Sequence, residues 1–337
     1  MILRDQKKQD VEYEDTNQTR AMRSLLKRYN DLLAKTHIDI HYLDKPIIRF
    51  QNPKAAPLPI TQGDKFVRRV FNNGRWDQGG RFYGGWWQRC PSGERKHIYF
   101  DGTITQEMDF SGLHVVLLYA QKGIDYWATI DEDPYIVDWP EGTEASIDQR
   151  DAAKLLLLTA INANNEKQAF KGFRAQHDRS HPEKKLTDKI LGEVLLKLKE
   201  KHEPIADKIA SGAGIDLMYI DSQITERLIA CFTDLGVPML TIHDSYVVPF
   251  AYDIILEREM KKAFYEVTKV KEVKLKHTTF SSDDYWFPEY WDSGKTKSLG
   301  KDAETSQRHK DDLKSFRKFN GIREDYPSWI AHWSAIY

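Results

Sequence analysis

Residues 98–121 read IYFDGTITQEMDFSGLHVVLLYAQ, and this stretch holds two strand patterns followed by a helix pattern. Asp101-Gly102 separates the two strand patterns, and Asp-Gly between apolar runs is a strong signal for a β-hairpin. The second strand pattern ends at Asp109. The apolar segment Leu113 to Gln121 then indicates a buried helix. Asp109 is therefore predicted to lie at a strand-to-helix junction, where a rigid backbone presents its side chain to a cleft.

A second aspartate occurs in a similar setting near residue 244. The apolar runs Met239 to Ile242 and Tyr246 to Phe250 flank His243-Asp244-Ser245, which predicts a hairpin with polar residues at its tip. Two aspartates next to apolar strands are costly to bury unless a cation neutralises them. Carboxylate oxygens favour Mg²⁺ or Mn²⁺, and two such ions can activate an attacking oxygen and stabilise a leaving pyrophosphate. Asp109 and Asp244 are therefore the predicted catalytic residues and metal ligands.

Helical patterns surround these strands, so the predicted fold class is α+β. Helices are expected over Thr19 to Leu33, around Val67 to Phe71, from the capping box at Ser146 through Asn162, and over Asp216 to Leu235. Residues 165–210 are charge-rich, mostly helical in composition and without a chemical signature. We expect an N-terminal helical region over 1–60, a catalytic core over 61–280 and an irregular extension over 281–337.

Composition narrows the class of protein. A chain of 337 residues with 40% apolar side chains can bury a sizeable core. Cys90 and Cys231 lie far apart with no CxxC or Cys/His cluster around either, so neither a disulfide framework nor a zinc site is predicted. The charged N-terminus and the short apolar runs favour a cytoplasmic protein that does not enter a membrane. The net charge of −1 argues against simple coating of nucleic acid.

Basic residues are concentrated in two places. Residues 61–100 carry eight Lys or Arg against three acids, interleaved with the aromatic sequence RFYGGWW, which suits backbone phosphates and stacked bases. Tyr83 and Arg95 of this stripe are predicted to contact nucleic acid. Arg150 and Lys154 lie four residues apart on one predicted helical face, where a guanidinium fork and a point charge can hold a triphosphate.

Taken together and in this order, these motifs resemble those of the family A DNA polymerases and of the single-subunit phage-type RNA polymerases. DFSGLH resembles motif A, RDAAKLLLLTAINA resembles motif B, and IHDSYVV resembles motif C. The resemblance implies a right-hand polymerase palm, an antiparallel sheet with helices, together with helical fingers and a reduced N-terminal thumb-like part. It adds the backbone carbonyl of Phe110 as a metal ligand and places His243 near the primer terminus.

The resemblance extends to nucleic-acid contacts outside the three motifs. GGRFY resembles an element that grips the template-primer backbone, which gives Arg81 a DNA-contacting role. Gln223 corresponds to a glutamine that contacts the duplex minor groove. The resemblance implies as partners a DNA template-primer, with RNA as the alternative, dNTP or NTP, and an accessory replication or transcription subunit.

The sequence departs from the family in motif B. Leu158 and Asn162 stand at nucleotide-binding positions where the family has an aromatic residue or Tyr-Gly. His114 stands where a bulky side chain closes over the sugar and excludes a 2′-hydroxyl, which favours deoxynucleotides. His-Asp-Ser followed by an aromatic residue is closer to the RNA enzymes. Template-directed DNA synthesis at a primer 3′ end is the preferred interpretation, and an RNA polymerase or primase-like enzyme is the alternative.

Two further interpretations come from other functional classes. A metal-dependent nuclease would also use two aspartates and a histidine, but it leaves Arg150 and Lys154 unexplained. A non-catalytic palm that binds nucleic acid would account for the altered motif B and the near-neutral net charge.

Overall fold

The computed structural model describes residues 1–50, 52, 54–278 and 305–322, and its fold is α+β, as predicted. The strands are β1 Ile2–Leu3, β2 Ile38–Ile40, β3 Ile47–Ile48, β4 Leu58–Pro59, β5 Val67–Phe71, β6 Gly79–Gly84, β7 Ile98–Phe100, β8 Thr103–Phe110, β9 Leu240–Ile242, β10 Ser245–Pro249 and β11 Leu275–Thr278. The helices are α1 Asn17–Ala34, α2 Ser92–Arg95, α3 Leu113–Gln121, α4 Tyr126–Thr129, α5 Gln149–Asn162, α6 Glu166–Ala175, α7 Asp188–Lys201, α8 Gly214–Asp234, α9 Asp253–Thr268 and α10 Gln307–Asn320. Among these helices, none is both long enough and apolar enough to cross a membrane.

The central sheet is antiparallel and contains both predicted hairpins. Its strand order is β2-β7-β8-β10-β9. Strand β11 also pairs with β8, along the edge that faces away from β10. The β7–β8 turn is formed by Asp101 and Gly102, which both have positive φ as an Asp-Gly hairpin requires. In the pairing of β10 with β8, Ser245 lies opposite Asp109 and Pro249 lies opposite Thr105.

Helices α3, α8 and α9 pack together beside this sheet, and α9 contacts β8 and β10. Phe110 at the end of β8 is buried, with its ring centroid 6.2 Å from that of Tyr246 and 6.0 Å from that of Phe264 on α9. Aromatic clusters of this kind bury large apolar areas and hold strand ends rigidly. The residues that follow in the chain, including the predicted buried helix α3, are therefore fixed relative to the strand.

A second sheet has the order β1-β5-β6 and packs against α8 and α1. The prediction of a helix around Val67 to Phe71 is wrong, because this segment is strand β5 and pairs with the glycine-rich strand β6. Gly80 explains the close packing, since a Cβ there would lie 2.8 Å from Ser222 Oγ on α8. Its φ of +75° is also a conformation that glycine adopts without strain.

Helices α5, α6 and α7 form a helical layer whose members contact one another. Helix α5 begins one residue before Arg150, and its N-cap is Asp148, which accepts a hydrogen bond of 3.0 Å from the backbone N–H of Asp151. The predicted cap at Ser146 is therefore wrong, although the helix end at Asn162 is confirmed. An Asp at the N-cap satisfies the same free N–H groups as the predicted Ser.

The predicted boundary near residue 60 does not coincide with a break in the fold. Strand β2 pairs with β7 in the central sheet, and β1 pairs with β5 in the second sheet. The predicted irregular extension over 281–337 contains helix α10, whose Arg308 and His309 contact Asp39 of β2 at 2.9 and 2.6 Å. The rest of that extension lies outside the described residues, apart from 305, 306, 321 and 322.

Candidate active site

The two predicted catalytic aspartates lie next to each other. Asp109 is the penultimate residue of β8, and Asp244 is at the tip of the β9–β10 hairpin, beside Ser245, which pairs with Asp109. Directly opposite residues of antiparallel strands have Cα atoms about 4.5 to 5.5 Å apart, so the register alone brings the aspartates together. Sequence reasoning predicted both positions but not this pairing.

The environment of Asp109 disfavours its negative charge. Burial, and then the charge of Asp244, raise the pKa of Asp109 to about 7, although the charge of Lys154 opposes the shift. Within the described part of the chain, no group donates a hydrogen bond to Asp109 Oδ1, although this atom is buried. Two adjacent carboxylates with an unsatisfied buried oxygen fit the oxygen-rich coordination that Mg²⁺ and Mn²⁺ prefer.

Arg81 lies in β6, and its guanidinium contacts other side chains of the protein. Its Nε donates to Asp221 Oδ2 at 2.6 Å, and its Nη2 lies 3.0 Å from His114 Nε2. Since arginine only donates hydrogen bonds, His114 Nε2 must be the acceptor in this contact. Burial and the charge of Arg81 lower the pKa of His114 to about 4, so its ring is neutral near pH 7. Only 11% of the Arg81 side chain is exposed, which leaves little of it for a phosphate group.

Asp221 of α8 is the partner that sequence reasoning missed. The residue is fully buried, and burial raises its pKa to about 7 against the opposing charge of Arg81. The sequence contains a signal for this residue. Asp221 stands on the apolar face of a predicted helix, close to the predicted nucleic-acid contact Gln223. Gln223 itself is half-buried, and its backbone carbonyl accepts a hydrogen bond of 3.1 Å from Arg227.

Arg95 is also engaged within the protein. It binds Glu107 through two contacts, Nε to Oε2 at 3.0 Å and Nη2 to Oε1 at 2.8 Å. Ser245 donates its hydroxyl to the same Glu107 carboxylate. Glu107 is two residues before Asp109 on β8 and so lies on the same face of the sheet, where its charge contributes to the raised pKa of Asp109. Sequence reasoning missed Glu107, since its importance depends on these partners.

Several members of the predicted polyanion-facing stripe over 61–100 have partners within the protein. Lys65 is buried and donates to the backbone carbonyls of Thr36 and Ala34 at 2.6 and 3.2 Å, and Arg69 is buried against Glu226 at 2.9 Å. Arg75 and Arg89 pair with acids of the same segment, Asp77 and Asp64, at 2.6 Å. The buried Lys65 and Arg69 therefore serve the fold, and the contact of the stripe with a polyanion stays a prediction.

Two rings of the predicted nucleic-acid contacts lie close together. Tyr83 of β6 is partly exposed, and its ring centroid is 6.3 Å from that of the exposed His243 in an edge-on arrangement. His243 has a φ of 57°, a left-handed conformation that is uncommon outside glycine and that carries the chain through the hairpin tip. The two rings therefore form an exposed aromatic patch beside Asp244.

Arg150 and Lys154 are exposed on α5, in agreement with the predicted shared face. The Arg150 guanidinium lies 5.5 Å and the Lys154 ammonium 5.8 Å from the ring centroid of Tyr135. Tyr135 is 3% exposed, and burial together with the charges of Asp244 and Asp109 raises the pKa of its hydroxyl. Tyr135 thus lies between the helix cations and the aspartates. No motif in the sequence indicated it.

The remaining predicted site residues are Leu158 and Asn162 on α5 and Phe110 at the end of β8. Leu158 and Asn162 follow Lys154 at successive turns of α5, and Asn162 Nδ2 donates to the Leu158 carbonyl at 2.7 Å. Phe110 has its side chain in the core. The metal-binding role of its backbone carbonyl stays a prediction, as do the nucleotide contacts of Leu158 and Asn162.

Comparison of the sequence with protein-family models gives no match, and comparison with curated proteins gives none either.

Proposed function

We propose that this protein is a template-directed nucleotidyltransferase that adds deoxynucleotides to a primer 3′ end, with the central sheet acting as a right-hand polymerase palm. The register that sets Ser245 opposite Asp109, and so brings Asp244 beside it, is the observation that carries this proposal. Asp109 and Asp244 are half-buried, and two neighbouring carboxylates are unfavourable as a charged pair unless a ligand neutralises them.

Asp109 and Asp244 would hold Mg²⁺ or Mn²⁺. Two such ions, when bound, activate an attacking hydroxyl and stabilise the charge of a leaving pyrophosphate. Asp109 must lose its proton to act as a ligand, and its raised pKa means that it takes up a proton readily when no cation is bound. Glu107 and Ser245 fix the strand backbone on which Asp109 and Asp244 are presented.

Arg150 and Lys154 supply the positive charge for a triphosphate. Both side chains are exposed, and their cationic groups lie 5.5 and 5.8 Å from the ring centroid of Tyr135, whose hydroxyl is influenced by the charges of Asp244 and Asp109. A planar guanidinium binds phosphate oxygens through two parallel hydrogen bonds, and an ammonium acts as a compact charge. Tyr135 would hold the two cations in place and form the floor beneath the nucleotide.

The primer would approach from the side of Tyr83 and His243. These two rings are accessible and adjacent, which suits stacking on a terminal base or sugar. Arg81 acts as a positioning residue, because its hydrogen bond fixes the ring of His114. A neutral, fixed His114 ring beside the aspartates would occupy the space that a ribose 2′-hydroxyl requires, which favours deoxynucleotides.

A freely moving thumb is not part of this proposal. The hydroxyl of Tyr29 on α1 donates to the backbone carbonyl of Met239 at 2.8 Å, which anchors α1 beside the hairpin that carries Asp244. We propose that an accessory subunit provides any processivity.

Primer extension on a defined template with Mg²⁺ or Mn²⁺ tests the proposal, with dNTPs and rNTPs supplied in parallel reactions. The expected result is extension with dNTPs that is lost in Asp109→Asn and Asp244→Asn but retained in the matched surface variant Asp207→Asn. Extension with rNTPs alone would assign RNA synthesis instead. Cleavage of a labelled strand without added nucleotide would indicate a nuclease, and binding of template-primer without extension in any reaction would contradict the proposed activity.

A further inference from the structure

The sequence HDRSHPE at residues 177–183 joins α6 to α7 and brings together His177, His181 and Glu183. One potential ligand atom from each of these residues lies within 4.8 Å of the other two. Glu183 Oε2 is 4.0 Å from His177 Nδ1 and 3.7 Å from His181 Nδ1. The three side chains therefore converge on one point.

Two atoms of these side chains lack the partners that buried polar atoms normally have. Within the described residues, no hydrogen bond is made by Glu183 Oε2 or by His177 Nε2, although both atoms are buried. A buried carboxylate oxygen without a donor is costly. A neutral imidazole offers a ring nitrogen lone pair to a metal.

We propose that His177, His181 and Glu183 bind one Zn²⁺ ion in a structural site separate from the paired aspartates. Two imidazoles and one carboxylate suit Zn²⁺, whereas Mg²⁺ prefers oxygen ligands. With zinc-ligand bonds of about 2.0 to 2.2 Å, tetrahedral ligand atoms are roughly 3.4 Å apart, so the side chains need only a small contraction. His181, which is 58% exposed, leaves the fourth position open to water.

The ion would fasten the connection between α6 and α7. His177 follows the end of α6, and Glu183 lies in the short 3-10 helix Pro182–Lys185 that precedes α7. The same connection is already held by Arg174, whose Nε donates to the Leu186 carbonyl at 2.8 Å. Since α6 and α7 both pack on α5, the ion would stiffen the helical layer that presents Arg150 and Lys154.

Zinc titration of the full-length, chelator-treated protein tests this inference, with excess Mg²⁺ present to occupy carboxylate-only sites. Competition with a chromophoric chelator gives affinity, elemental analysis gives stoichiometry, and Co²⁺ substitution reports coordination through its visible spectrum. We expect one equivalent of Zn²⁺, a tetrahedral Co²⁺ spectrum and a higher unfolding midpoint with Zn²⁺. The affinity for Zn²⁺ should fall at least tenfold in His177→Ala and in Glu183→Gln. A loss of roughly tenfold is already typical when only the residues around a metal ligand are changed.

The matched controls are Glu193→Gln on the exposed face of α7 and His277→Ala in β11, which should bind Zn²⁺ as the unmodified protein does. Glu183→Gln preserves the size of the side chain, and circular dichroism verifies that each variant is folded. Failure of the unmodified protein to bind Zn²⁺, or equal affinity in Glu183→Gln and Glu193→Gln, would overturn the inference. Loss of the Co²⁺ spectrum in Asp109→Asn instead of His177→Ala would assign the ion to the paired aspartates.

Discussion

The paired aspartates contrast with two other acidic residues of the candidate site. Asp221 and Glu107 are each buried with an arginine, at 2.6 Å from Arg81 and 2.8 Å from Arg95. Asp109 has another carboxylate, Asp244, as its neighbour instead of an arginine. Among the described residues, a buried Oδ1 without a hydrogen-bond partner occurs at both Asp109 and Asp221, so the ion pair with arginine is what distinguishes the two sites. The carboxylates that join elements of the fold are thus paired with arginines, whereas the strand-end pair has the arrangement for which we propose an external cation.

This contrast predicts opposite consequences for stability and activity. Removing one partner of a buried arginine–carboxylate pair leaves the other charge buried and unpaired. Such a substitution should destabilise the protein. Removing one of two facing aspartates relieves repulsion and should leave stability unchanged or improved.

The largest effect is expected for Asp109→Asn and Asp244→Asn. Each substitution removes a proposed metal ligand, and because a catalytic metal contributes several kcal/mol of transition-state stabilisation, extension should slow about a thousandfold or more. The free energy of unfolding should stay the same or increase. Single-turnover primer extension and urea unfolding measure the two quantities, and a variant that retains near-normal extension would remove Asp109 from the mechanism.

The second effect concerns Arg81→Ala, which leaves Asp221 buried without its cation and should cost about 3–5 kcal/mol of unfolding free energy. The matched control is Arg89→Ala, whose pair with Asp64 is largely exposed, and its cost should be no more than about 1 kcal/mol. A double-mutant cycle with Asp221→Asn isolates the interaction. Equal losses in Arg81→Ala and Arg89→Ala would mean that burial does not distinguish the two pairs.

The third effect separates binding from stability on α5. Because a charge-assisted hydrogen bond contributes about 1.5–3 kcal/mol, Arg150→Ala and Lys154→Ala should each raise KM for the nucleotide roughly tenfold to a hundredfold. The exposed side chains predict a stability change within about 0.5 kcal/mol. Lys197→Ala on α7 is the control. Steady-state kinetics that show a change in kcat alone would contradict triphosphate binding by these cations.

The smallest effect is a pH dependence. The unfolded chain loses the Asp109 proton near pH 4, whereas the folded chain retains it until about pH 7. The folded state therefore binds more protons in this window, so the contribution of Asp109 to stability falls as pH rises from 4 to 7 and is constant above 7. Solvent screening of the partly exposed carboxylate limits the change to on the order of 1 kcal/mol.

Urea unfolding in chelator at several pH values checks this prediction by comparing the unmodified protein with Asp109→Asn. The difference between the two curves isolates Asp109, because Asp221 titrates in the same direction in both proteins. Added Mg²⁺ should reverse the fall in stability near pH 7, since the ion binds the ionised carboxylates. Parallel curves for the two proteins would show that Asp109 does not hold its proton as described.

Features that depend on neighbours in the chain were predictable from sequence. The Asp-Gly turn, the hairpin around Asp244 and helix α3 all follow from local patterns, and their bounds agree with the structure to within a few residues. Local patterns misled at Val67 to Phe71, where apolar spacing suited a helix. The strand forms there because the glycines of β6 allow close pairing and close contact with α8, which no local pattern contains.

Partnerships between distant residues were not predictable. Arg81 and Asp221 are 140 positions apart in the chain, so no local pattern favours an internal pair over a phosphate contact. Tyr135 lacks any motif, and its position between the helix cations and the aspartates arises from packing alone. The candidate reactive groups of the site were thus predictable from sequence. The groups that position them were not.

The pairing of β8 has a consequence for how the chain folds. The start of β8 pairs with its neighbour in the chain, β7, but residues 105–109 pair with residues 245–249 and residues 107–110 pair with residues 275–278, which are distant in sequence. Contacts of such high sequence separation require the closure of long loops, which slows folding. During synthesis, β8 and Asp109 emerge long before these distant partners, and the end of β8 that carries Asp109 stays unpaired until β10 and β11 arrive. We therefore expect the aspartate pair to assemble late, as one of the last events in folding.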